Sequence, residues 1–327
     1  MKKNILPIII KNINHIIFHC GNLKRNEPTL LLYDNSTKNL AGLFKKVIKK
    51  ITEKITLIHV GNLKFHGEEV NKKIEIEMCK SKLILCLTKY SLAHSSARIE
   101  ASKKGARFLS LPNYSLKFIK DNSINVNFKK IGPQTRKISN ILSKGKSINI
   151  TSKRGTNLNL KISKRKANSC PGYVVKNGDL GSPPDIEANI SPLEQFSNGI
   201  AFIDGSVTHP KIKLLKKPIK LIIKNGKIHE IEVDDKNVKK ILNKIFQKKS
   251  SKRRVLAECG IGLNPKAKLS GHMLTDEGSK GCIHLGFGAN HTVGGKNKIN
   301  FHIDLVMKNT SLYVDNKLII DKGKLQI

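Results

Sequence analysis

Between residues 29 and 111 the chain alternates short apolar runs with stretches of helical period, and few folds accommodate that pattern. Thr29 to Tyr33 (TLLLY) reads as a buried strand, and Lys38 to Ile51 carries Leu40, Leu43, Phe44, Val47, Ile48 and Ile51 at helical spacing. Ile55 to Val60 is the next strand, Glu68 to Met78 a helix, and Leu83 to Leu87 a strand. Ser91 to Lys104 reads as a helix with Gly105 past its end, and Arg107 to Leu111 as a fourth strand closed by Pro112. Strands alternating with helices at this spacing predict a parallel, Rossmann-like α/β sheet.

Residues 112–166 read as a crossover, dense in Lys, Ser, Asn and Gly from Lys137 to Lys166. A domain boundary is placed there, within 140–165, giving an α/β domain over 1–150 and a second domain over 151–327. The second half has another rhythm. Asn225-Gly226 joins two apolar-alternating runs across Pro218 to Val233, as the positive φ of a type I′ hairpin requires. An amphipathic helix over Lys236 to Lys249 follows, with Val238, Ile241, Leu242 and Ile245 on its apolar face. Short strands are expected at Val255 to Cys259, Cys282 to Phe287 and Ile299 to Met307, with a last hairpin, Ser311 to Ile320, around Asp315-Asn316. The expectation is an α/β plus α+β protein whose C-terminal domain is mostly antiparallel.

A chain of 327 residues buries a core without cross-links, and its six cysteines form no C-x-x-C pair, which points to reduced thiols. The start, Met1 to Ile10, imitates a signal peptide. Lys11, Asn12 and Asn14 cut its apolar run short, so it reads as an ordinary N-terminus of a cytoplasmic protein, and no run is long enough to cross a bilayer. The net charge of +37 is spread along the chain, mostly as Lys, with only 5% aromatic residues. Phosphate and base recognition favours Arg forks and aromatic platforms. The charge therefore reads as drift in composition, with non-specific nucleic-acid binding at low salt as its consequence.

Chemistry concentrates in the second half. His302 and Asp304 sit two apart on a predicted strand, so both face one side, roughly 6–7 Å apart. An imidazole and a carboxylate on a rigid element suit a divalent metal. Glu187 lies between two prolines and a Ser-Pro, Glu258 ends a strand at a glycine-rich turn, and His284 stands among glycines on a short strand. Each alone also reads as an ordinary exposed acid or core histidine. Together the two Glu, two His and one Asp form a set for paired divalent ions, which need a carboxylate between them and donors on both sides. Cys259 and Cys282 adjoin two of these positions as soft ligands for zinc or as small buried residues.

The order and context of these residues resemble the aminopeptidase T (leucyl aminopeptidase) family of metallopeptidases. Pro184 through Glu187 to Ser191-Pro192 resembles its P-x-x-E-x-x-x-[AS]-P stretch. Ala257-Glu258, His284 and the H-x-D of His302 and Asp304 follow in the family's order. Ser91 to Arg98 and Gly105-Ala106-Arg107 resemble its S-x-x-H-[ST]-x-A-R and G-A-R stretches. The resemblance runs from about residue 30 to the end. It implies that Glu187, Glu258, His284, His302 and Asp304 hold two divalent ions of the Zn, Co or Mn type. Those ions would activate a water to remove N-terminal residues from peptides, in a homodimer. Glu187 or Glu258 would take the water's proton or anchor the substrate's amine.

The family's catalytic Tyr lies seven residues beyond the third ligand, where this chain has His291. His291 either replaces that Tyr as the oxyanion donor or is a surface-loop residue. A related branch resembles 2,5-dihydroxypyridine dioxygenases, which hold one Fe(II) on a two-His, one-carboxylate set, and His94 is similar to a histidine of that branch. Three functions are therefore expected in turn: metallo-aminopeptidase, non-haem Fe(II) ring-cleaving dioxygenase, and a non-catalytic nucleic-acid-binding or scaffold protein.

Overall fold

The structure, a computed structural model, describes residues 5–327. Met1 to Asn4, the start of the signal-like stretch, lie outside the described residues, and Ile5–Asn14 is a helix. Among the described residues no helix is long and apolar enough to cross a membrane. The chain forms two compact units, one of residues 1–130 with 170–184 and one of residues 131–169 with 185–327. The single cut at 150 would assign 170–184 to the second domain, whereas that segment returns to the first unit.

The first unit is built on a five-stranded parallel sheet in the order Ile55–His59, Thr29–Tyr33, Leu83–Leu87, Arg107–Ser110, Leu180–Gly181. Leu83–Leu87 is buried along its whole length, as expected of a strand covered on both faces. Helix Lys38–Ile48 lays Leu40, Ala41, Phe44, Val47 and Ile48 inward. Two helices start later than their periodicity suggests, each at a side-chain cap. Asn71 accepts from Ile74 N ahead of Lys72–Lys80, and Ser95 accepts from Arg98 N ahead of Ser96–Lys103. Strand order reverses between Thr29–Tyr33 and Leu83–Leu87, the place where open α/β sheets receive ligands. Here the chain straps that place itself: Thr37 Oγ1 donates to Leu87 O at 2.6 Å, and Asp34 Oδ2 accepts from Lys89 N at 2.5 Å.

The second unit holds two antiparallel sheets. One runs Lys227–Glu232, Ile219–Lys224, Asn198–Ile203, Asn157–Lys161, Ser147–Thr151, Ser311–Val314, Lys317–Asp321, Lys324–Leu325. Its Asn225-Gly226 turn has φ of 49° and 69°, the type I′ geometry expected. The stretch read as a crossover in fact contains helix Phe128–Lys144 and the paired strands Ser147–Thr151 and Asn157–Lys161. Ile148, Ile150, Leu158 and Leu160 are buried on alternate positions there, under a dense cover of Lys, Ser and Asn that hides the period. At the centre of the second sheet, the strands His302–Met307, Ile283–Gly288, Leu256–Gly262 and Glu187–Ile190 lie side by side. All six cysteines are free thiols.

Candidate metal centre

Register places the chemistry on one face of that second sheet. Gly286 is paired with Asp304 on one side and Glu258 on the other; His284 faces Gly260, which faces Asn189; Gly262 faces Glu187; and Gly288 faces His302. Directly paired residues share a face, and so do residues two apart along a strand. Glu187, Glu258, His284, His302 and Asp304 therefore all project to the same side, interleaved with glycines. The glycines are spaces for their neighbours. A Cβ on Gly260 would lie 2.0 Å from His284 Nε2, and one on Gly286 would lie 2.7 Å from His302 Nε2. On Gly262 it would meet the backbone oxygens of Ser279 and Glu277, where the short helix Met273–Gly278 crosses the face.

The donors gather in two sets that share one carboxylate. Glu187, Glu258 and His284 form the first, and Glu258, His302 and Asp304 the second, with the ligand atoms in each set within 4.8 Å of one another. His284 Nε2 lies 3.1 Å from Glu187 Oε2 and 3.8 Å from Glu258 Oε1. His302 Nε2 lies 3.5 Å from the other oxygen, Glu258 Oε2, and 3.1 Å from Asp304 Oδ1. Asn189 Nδ2 donates to Glu187 Oε1 at 2.6 Å, while Glu187 Oε2 is buried without a hydrogen-bond partner. His302 Nδ1 donates to the Ala289 carbonyl at 2.8 Å. That bond turns Nε2 toward the two carboxylates, the arrangement of a metal-ligating histidine with its outer partner. His284 is 2% exposed and His302 31%, so the centre opens at the His302 end.

Electrostatics makes the same case. Two further acids, Asp185 and Glu277, are part of the buried cluster, each with an oxygen that has no hydrogen-bond partner. Burial, reinforced by the neighbouring carboxylates, pushes both well above the usual acid range. Burial also raises Glu187, to about 7, against the pull of His284. Burial disfavours charge on both histidines, but the carboxylates outweigh it: His284 rises to about 9 beside Glu187 and Glu258, and His302 to about 10 beside Asp304. Burial likewise opposes the Asp304 charge, and His302 overrides it, holding Asp304 far below its ordinary value. Buried imidazole and carboxylate donors, with a Glu187 oxygen that makes no hydrogen bond, fit a divalent ion.

All five sequence-predicted ligand positions thus meet on one face. His291 lies in an exposed turn and belongs to neither set. Cys259 and Cys282 are buried and belong to neither set, and burial pushes the Cys259 thiol up to about 12. His94 is exposed in the first unit, ahead of helix Ser96–Lys103. Sequence reasoning missed Asp185 and Glu277. Asp185 stands two residues before Glu187, a signal that strand alternation could have supplied. Glu277 sits in a six-residue helix that leaves no period to read.

Comparison with known proteins separates the branches of the resemblance. The family model described as NicX, 2,5-dihydroxypyridine 5,6-dioxygenase, matches residues 40–327. No curated protein sequence matches the chain. Among solved structures, a 2,5-dihydroxypyridine dioxygenase from Pseudomonas putida KT2440 superposes with a TM-score of 0.83 at 17% identity, covering 97% of this chain and 96% of its own. AmpT from Thermus thermophilus superposes with a TM-score of 0.71 at 12% identity, over 98% of this chain and all of its own. At these identities the structures establish the fold, and it is common to both branches. The aminopeptidase branch, placed first on sequence motifs, is matched in fold only, whereas the dioxygenase branch is matched by sequence as well. The chain belongs to the 2,5-dihydroxypyridine 5,6-dioxygenase family.

Proposed function

We propose that the protein is a metal-dependent dioxygenase that opens a dihydroxylated nitrogen-heteroaromatic ring with molecular oxygen. The observation that carries this reading is the gathering of His302, Asp304 and Glu258 at the open end of a buried site, in a chain of the dioxygenase family. His302 Nε2, Asp304 Oδ1 and Glu258 Oε2 would hold an Fe(II) ion, which supplies the one-electron chemistry that dioxygen requires. The chain's own share is positioning. The Ala289 carbonyl fixes the ring of His302, and Glu277 makes a side-chain hydrogen bond with Asp304.

The donor set differs from the two-His, one-carboxylate set implied for this branch. The two imidazoles lie on opposite oxygens of Glu258, one to each set. That observation favours a second reading, hydrolysis by two ions bridged by Glu258, as in an aminopeptidase. One experiment separates the two. Protein loaded anaerobically with Fe(II) is expected to consume oxygen with 2,5-dihydroxypyridine. Protein loaded with Zn(II), Co(II) or Mn(II) is expected to leave leucyl-anilide substrates intact. Anilide hydrolysis without oxygen uptake would transfer the assignment to the peptidase reading, and neither activity with either metal would remove both.

A further inference from the structure

The loop that leads from the His284 strand to the His302 strand is shaped by one buried amide. Asn290 is fully buried. Its Nδ2 donates to Ser191 Oγ and to Glu194 Oε1, both at 3.0 Å, and its Oδ1 accepts from Asn297 N at 2.7 Å. Its main chain closes the same loop: Asn290 N donates to Asn297 O at 3.0 Å, and Gly295 N donates to Asn290 O at 2.8 Å. Glu194 is the anchor. Its Oε1 also accepts from Lys296 N at 2.6 Å, and its Oε2 pairs with Arg165 Nη2 at 2.6 Å. Arg165 Nη1 in turn donates to the Gly294 carbonyl. A Cβ at Gly295 would lie 2.0 Å from Asn290 Cγ, so the Gly294-Gly295 pair makes room for the amide as well as turning the chain.

Two connections give this clasp a direction. Residue 289, next to Asn290, supplies the carbonyl that receives His302 Nδ1–H at 2.8 Å. Ser191, which accepts from the same amide nitrogen through its hydroxyl, directly follows the strand that carries Glu187. One residue thus links the carbonyl that holds His302 to the end of the Glu187 strand.

We infer that Asn290, held by Glu194 and Ser191, is a positioning residue of the metal centre, fixing through the Ala289 carbonyl which nitrogen of His302 faces the ion. The inference rests on the reading of this cluster as a metal centre. Replacing Asn290 by Asp keeps the shape but removes both donated hydrogen bonds and sets a carboxylate against Glu194. Misplacing the outer partner of a ligating histidine, here the Ala289 carbonyl, weakens metal binding by about 10–100-fold.

The test uses the full chain and Co(II), titrated in competition with a chromophoric chelator, on the wild type, Asn290→Asp, Glu194→Gln and His302→Ala. Imidazole 15N–1H spectra of Zn(II)-loaded protein report the His302 tautomer, assigned by the loss of its signal in His302→Ala. The expected result is an Nδ1–H signal for His302 in the wild type that is lost or split in Asn290→Asp, with Co(II) affinity lower by at least 10-fold. A smaller loss is expected in Glu194→Gln, which keeps the acceptor and removes the charge facing Arg165. Unchanged affinity and an unchanged ring signal in Asn290→Asp overturn the inference and leave the metal reading in place. If the wild type binds no Co(II), the metal reading falls and the inference with it. Should Asn290→Asp not fold, the same two readouts on Glu194→Gln decide the matter.

Discussion

Gly260 and His284 face each other across adjacent strands, and a methyl group on Gly260 would lie 2.0 Å from the imidazole Nε2 and 2.1 Å from its Cε1. The ring occupies the space that the missing side chain leaves. It cannot swing aside, because it is 2% exposed and bounded by Glu187 and Glu258. Gly260→Ala is therefore expected to displace the ring, destabilising the protein by about 1–3 kcal/mol as overpacking does. It should also weaken metal binding that depends on His284. A metal titration beside a thermal melt checks this, and wild-type affinity in a folded Gly260→Ala protein would show that the glycine is not there for the ring.

Sharing of Glu258 makes a prediction about number. Glu258→Ala removes a donor from both sets, while Glu187→Ala and Asp304→Ala each remove a donor from one. Elemental analysis after metal loading is expected to find almost no ion on Glu258→Ala. With the single Fe(II) proposed for the second set, Asp304→Ala should lose it as well and Glu187→Ala should keep it, whereas a reduced but measurable content on both would point to two ions. Equal loss in all three variants would point to a single ion bound by the whole cluster.

Protons and metal compete for the same atoms, which sets a pH dependence. Glu187, His284 and His302 all bind their protons more tightly folded than unfolded, at about 7, 9 and 10 against ordinary values of 4.5 for the acid and 6.5 for the histidines. Their contribution to stability is fully present below those ordinary values and is lost as pH rises through the folded ones. Asp304 is shifted the other way, and its contribution is lost only in strong acid. Ion-free protein should therefore melt at progressively lower temperature from about pH 5 to about pH 10. A bound ion replaces the protons, so the rise in melting temperature on adding metal should be larger at about pH 8 than at about pH 6. Melts with and without chelator test this, and a metal effect that shrinks with rising pH would contradict it.

Much of this centre was legible because antiparallel strands keep strict two-residue alternation. His302 and Asp304 share a face by that rule alone, and the glycines flanking Glu258 and His284 mark strands that something approaches closely. What sequence could not supply was convergence across strands. Nothing local says that Gly286 sits between Asp304 and Glu258, since that depends on long-range register. Glu277 was invisible for a related reason: its role comes from a short helix crossing the sheet face, not from its own neighbours in sequence. The fifth strand of the first unit, Leu180–Gly181, is two residues long and carries no period at all. By contrast, Thr29–Tyr33 and Leu83–Leu87 were read to the residue, because a strand buried on both faces announces itself as an unbroken apolar run.

The Gly105-Ala106-Arg107 stretch, which carried part of the family resemblance, has a structural explanation in the first unit. Gly105 takes φ of +93° just past helix Ser96–Lys103, a conformation that other residues adopt with strain. Arg107 follows at once, with Nη2 on Glu27 Oε1 at 2.7 Å and on Asn22 O at 3.3 Å. The side chains of this pair are 4% and 10% exposed. Removing one partner of a buried pair leaves the other charge without compensation, at a cost of about 3–5 kcal/mol. Arg107→Ala should accordingly lower stability by about that amount, with metal content per folded molecule unchanged. Arg107→Lys, which keeps the charge but not the fork, should recover only part of the loss. Denaturant melts together with elemental analysis of the folded fraction measure both quantities. A stable Arg107→Ala protein that had lost its metal would move this motif from the scaffold to the site.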